Sequence, residues 1–92
     1  MVIDRKLAEE THNEFMGLVA WSENEQRDLP VEGHLQTNKM KGHILNMKKA
    51  GLVETYRFDM GGEKAMWLTF TDEGLQYAQK HGGKAWKHGA WA

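Results

Sequence analysis

The chain has no cysteine, a single proline, a single serine and no long apolar run. Without cysteine there is no disulfide framework, thiol nucleophile or zinc–thiolate site. No stretch approaches the ~18 apolar residues of a membrane span. The segment after Met1 carries charges where a signal peptide has its apolar stretch, so the cytoplasm is the expected compartment. Ser22 lies in an acidic turn, no glycine loop has a phosphate-cradling pattern, and no carboxylate pair has a reason to converge. The reading is therefore a non-enzyme with no cofactor. Five histidines are present, but none shows metal-ligand spacing, and a surface location is expected for them.

The 92 residues leave room for one core, and a core of that size gains from pairing with a second copy. The net charge of −1 hides a strong polarity. Residues 1–33 carry three cations against eight acids, or −5, whereas 34–57 carry five cations against Glu54 alone, or +4. Residues 58–92 balance four against four. Local charge sets the field at a phosphate backbone, so the middle third is the place to look for an anionic partner.

Ile3, Leu7, Phe15, Leu18 and Val19 predict a first helix from about Asp4 to Trp21. Its stripe is interrupted at Thr11, and Thr11–Glu14 and Ser22–Glu25 both match a capping box, which predicts a break or restart. Pro30 suits a first helical position, so a short second helix is expected from there to about Leu35. The best-marked element follows. Thr37 is a fitting N-cap, Met40, Ile44 and Met47 form one stripe, and Gly51 is a fitting left-handed exit with Leu52 packing back on Met47. Alternation over Leu52–Phe58 and Ala65–Thr71, around a turn rich in glycine at 61 and 62, predicts a hairpin. Met66, Leu68 and Phe70 share its inner face, and Trp67 falls on the less buried one. Thr71 then caps a last helix with Asp72 and Glu73 in its first turn, and Leu75 with either Ala78 or Tyr77 supplies its apolar side.

Helix, short helix, helix, hairpin, helix is the order of an α+β winged helix-turn-helix domain: three helices, a two-stranded wing and a C-terminal helix. Residues 1–81 would form it, followed by a Gly/Trp-containing tail at 82–92 in which Trp86 and Trp91 are expected to dock. The stretch from Thr37 to Val53, ending in Gly51-Leu52-Val53, resembles the recognition helix and exit of bacterial regulators of the MarR and PadR type. Leu68-Thr69-Phe70-Thr71-Asp72-Glu73-Gly74 is similar to the segment that closes their wing. The two motifs stand 14 residues apart with the glycine turn between them. The second helix is shorter than the family pattern, and the region after the wing lacks room for long dimerisation helices. The resemblance implies a dimeric, sequence-specific transcriptional regulator of double-stranded DNA, paired through its first helix, its tail, or both.

At 100° per residue, Asn38, Gly42, Leu45, Asn46 and Lys49 lie opposite Met40, with Lys39 and His43 on one flank and Lys41 and Lys48 on the other. Asn38 and Asn46 have the paired donor and acceptor that adenine presents in the major groove. Lysines would reach phosphates. Lys39 and Lys41 stand where the macrodipole disfavours cations, and Gly42 is an unfavourable mid-helix residue that permits close backbone approach. The expected DNA contacts are therefore Thr37, Asn38, Lys39, Lys41, Gly42, His43, Asn46 and Lys49, joined by Arg57 and Lys64 from the wing. The alternative is a winged-helix module for protein contacts in a transcription or replication complex, favoured by the acidic first third and the weakly charged wing tip.

Overall fold

The computed structural model describes residues 7–60 and 63–87, apart from the side chains of Asp59, Met60, Glu63 and Lys64. In chain order it contains α1 (Glu9–Glu25), β1 (Leu29–Pro30), a 3-10 turn (Gly33–Gln36), α2 (Asn38–Lys49), β2 (Val53–Met60), β3 (Glu63–Phe70) and α3 (Asp72–Lys80). This is an α+β arrangement of three α-helices around a three-stranded antiparallel sheet of order β1-β3-β2. Among the described residues no helix is long and apolar enough to cross a membrane.

The first helix runs unbroken through Thr11 and on past Trp21 to Glu25. Thr11 and His12 belong to its buried face, and each is satisfied by a distant partner. Thr11 Oγ1 bonds His43 Nδ1 at 2.8 Å, and His12 Nδ1 bonds the Tyr77 hydroxyl at 2.6 Å. Ser22 starts no helix. Its hydroxyl donates to Val19 O at 2.8 Å and accepts from Trp86 N at 3.1 Å, which fixes the chain after α3 against α1. Ala85 is fully buried there, and a Cβ on Gly83 would stand 2.8 Å from Val19. Trp86 is half-buried, and Trp91 lies outside the described residues.

Pro30 opens no helix. It lies in β1, in register with Trp67, while Leu29 pairs with Leu68 and enters the core. Val31 N donates to Met66 O at 2.8 Å, so by strand alternation the proline nitrogen points away from β3. An edge strand tolerates proline in that orientation. The expected short helix shrinks to the 3-10 turn, and the expected two-stranded hairpin becomes a three-stranded sheet.

Elsewhere the local signals hold. Thr37 Oγ1 accepts from Met40 N, and Thr71 Oγ1 accepts from Gly74 N. Gly51 takes φ 78°, Gly51 N donates to Lys48 O, and Leu52 N donates to Met47 O, each at 3.0 Å. That bond pair is the Schellman exit, with Leu52 and Met47 both fully buried. Val53 pairs with Phe70 and Met60 with Glu63, so two residues separate the strands, and the predicted glycine turn lies outside the described residues. Phe15 of α1 meets Phe70 and Tyr77 edge-on at 5.6 and 5.3 Å, joining helix, sheet and α3 in one core.

Candidate nucleic-acid interface

Helix α2 buries Met40, His43, Ile44 and Met47 and leaves Asn38, Lys39, Lys41, Gly42, Leu45, Asn46, Lys48 and Lys49 exposed. His43, expected among the DNA contacts, lines the groove toward α1 but shows little of its surface. It is only 9% exposed, and Thr11 of α1 holds its Nδ1. Its Nε2 is buried without a hydrogen-bond partner among the described residues. The ring is thus committed to the α1–α2 seam. The expectation of surface histidines also fails for His12, which is buried in contact with the rings of Tyr77 and His81.

Thr37 is exposed, but its hydroxyl already serves the fold, donating to His34 O at 2.9 Å and accepting from Met40 N at 3.2 Å. The charges that follow set this helix apart. Helix α1 opens with Glu9 and Glu10 and α3 with Asp72 and Glu73, whereas α2 has no acid in its first turn. Acids at a helix start are stabilising, so Lys39 in that turn and Lys41 just after it are not explained by helix stability. Among the described residues a Cβ built on Gly42 meets nothing within 4 Å, so this glycine makes no room for a described neighbouring helix.

A groove lies on either side of the exposed face. The one toward the sheet is lined by Val31, Gln36, Lys41, Arg57, Ala65 and Met66, and its charged members are both cations. Lys48 extends that side, its Nζ donating to Thr55 Oγ1 at 3.1 Å. Gln36 is positioned by donation to Val31 O at 3.1 Å. The groove toward the start of α1 is different: Glu9 and Glu10 stand there with Asn38, Lys39, Gly42 and Asn46. Lys49 and Asn46 border Leu7 and Thr11 farther along. The predicted residues therefore fall on two unlike flanks. Lys41 and Arg57 share a cationic groove, while Lys39, Gly42 and Asn46 adjoin two carboxylates close enough to escape full screening.

Met66 follows the inner-face alternation with Leu68 and Phe70, yet it is 37% exposed because β2 and β3 run beyond the core. It joins Arg57, its register partner, in the cationic groove. Gln36 and Met66 were not among the predicted contacts, and neither carries a charge that would mark it. The side chain of Lys64 lies outside the described residues. On the opposite sheet face Trp67 is half-buried, with Arg27 6.0 Å above its ring, and Tyr56 donates to Asp28 Oδ2 at 2.6 Å. Desolvation, that hydrogen bond and the Asp28 charge push the Tyr56 phenol up to about 12.

Among the described residues no group of three His, Asp or Glu is placed to hold a metal ion. Comparison with protein-family models, with curated proteins and with solved structures finds no match to this chain.

Proposed function

We propose that this chain is a winged helix-turn-helix regulator that binds double-stranded DNA, with α2 in the major groove and the β2–β3 hairpin as its wing. The observation that carries the reading is the cationic start of α2, in a chain whose other two helices open with acids. Four features extend it: the open Gly42, the exposed Asn38 and Asn46, the groove shared by Lys41 and Arg57, and the order of elements. Asn38 and Asn46 would read base edges, and Lys41, Lys48 and Arg57 would neutralise phosphates. Glu9 and Glu10 disfavour a phosphate strand on the α1 flank, so the backbone is assigned to the sheet-side groove.

Lys39→Glu combined with Lys41→Glu tests the reading in a duplex-DNA shift assay. Loss of binding by a variant that remains folded is the expected result. Undiminished affinity would remove α2 as the contact surface. A second reading, a protein-contact module, draws on the outer sheet face, where Tyr56 is 40% and Phe58 52% exposed. Wild-type protein that binds no duplex at low salt would favour it.

A further inference from the structure

Among the described residues the sheet ends on β2, which pairs with β3 on one side and has no strand on the other. Two hydrogen bonds define which of its main-chain groups are unused by β3. Met66 O accepts from Val31 on the β1 side, so Trp67 points its main chain toward its β2 partner, Tyr56. Leu52 O likewise accepts from Thr71 N, across the start of the same ladder. Even-numbered residues of β2 therefore bond inward. Thr55, Arg57 and Asp59 turn their N–H and C=O groups to the open edge.

Open edges in natural sheets are usually guarded by lysine, proline or a bulge. The β2 segment Val53–Met60 contains neither residue, and its register with β3 is continuous. It also exposes Phe58 by 52% and Tyr56 by 40%. This edge is a template for another strand, and its charges discriminate among occupants.

We propose that β2 pairs antiparallel with β2 of a second copy of this chain, about a two-fold axis at Phe58. Opposed residues must share a face, so a two-fold axis normal to the sheet passes through a residue rather than between two. Centring on Arg57 or on Asp59 would set like charges directly opposite, which destabilises a ladder. Centring on Tyr56 sets Arg57 against Thr55 and leaves its charge unmatched. Centring on Phe58 places Arg57 opposite Asp59 of the second copy on both sides of the axis. Those are also the residues whose main chains face outward, so each pair exchanges two ladder bonds. In register, Phe58 falls opposite its own copy and Tyr56 opposite position 60. The axis leaves both copies of α2 on one side of a continuous six-stranded sheet. This pairing uses neither the first helix nor the tail, and it does not depend on the DNA reading.

The test is sedimentation equilibrium of the full chain without DNA over a wide concentration range, with circular dichroism to verify folding. Wild type is expected to dimerise reversibly. Arg57→Asp alone and Asp59→Arg alone should each raise the dimer Kd by about tenfold or more, since each places like charges opposite twice. The double variant, with the charges exchanged, should restore wild-type dimerisation. A wild-type protein that stays monomeric throughout would overturn the proposal. So would a dimer indifferent to either single change, or a double variant no tighter than the singles.

Discussion

Helices α2 and α3 begin alike and then part. Each is capped by a threonine hydroxyl that accepts from the third helical N–H, Met40 in one and Gly74 in the other. After the cap α3 follows the demands of folding. Asp72 and Glu73 complement the dipole, and Gly74 lies so close to Leu52 that an added Cβ would collide with the Leu52 carbonyl oxygen. Helix α2 departs from those demands: lysines replace acids, and its glycine faces open space. Gly74 is explained by the packing of the folded chain, whereas no described residue packs where a side chain on Gly42 would begin.

Replacing each feature in turn sharpens that contrast, beginning with the largest effect. Gly74→Ala drives a methyl into main chain that cannot yield locally and should cost about 3 kcal/mol, read by urea unfolding. Wild-type stability in that variant would mean that the α3–Leu52 seam is not closed. Thr11→Val removes the only hydrogen bond that the buried His43 ring makes among the described residues and should cost about 2 kcal/mol. DNA affinity should survive, because His43 is placed in the seam rather than at the interface. Lys39→Glu with Lys41→Glu should leave stability unchanged or raise it by up to about 1 kcal/mol, while DNA binding is lost. Gly42→Ala should stabilise α2 by about 0.5–1 kcal/mol and weaken DNA binding. Stabilisation with unchanged binding would make this glycine an ordinary surface residue.

The smallest effect concerns the far face of the sheet. Tyr56 ionises more readily unfolded, near 10.0, than folded, near 12. The native state therefore holds more protons between those values, and this group's contribution is present below pH 10 and lost as pH rises toward 12. Ultraviolet titration should place the phenol near 12 in the native protein, and Asp28→Asn should move it down toward 10. An unmoved midpoint would show that Asp28 does not hold the phenol.

What was legible follows from range. The Thr37 cap, the Gly51 exit, the two strands of the hairpin and the Thr71 cap are local, and each appears where its residues predict it. Pro30 was not legible, because the same residue suits a helix start and an edge strand, and two residues of strand carry no period. Thr11 and His12 read as an interruption because their partners lie 32 and 65 residues away. His43 sits at the margin of its helical stripe, where burial depends on how α1 crosses it. Alternation assigns Met66 to the inner face but cannot say that the strands outrun the core. The candidate site was legible in its charges, while its division into a cationic and a mixed flank required the tertiary fold.

The central claim is that the exposed face of α2 exists for duplex DNA, and a salt titration of binding to duplex DNA of arbitrary sequence tests it most directly. Neutralisation of phosphates by Lys41, Lys48 and Arg57 predicts measurable affinity at low salt. Log affinity should then fall against log salt with a slope of about −3 per protomer. Absence of binding at low salt, or a slope near zero, would contradict it.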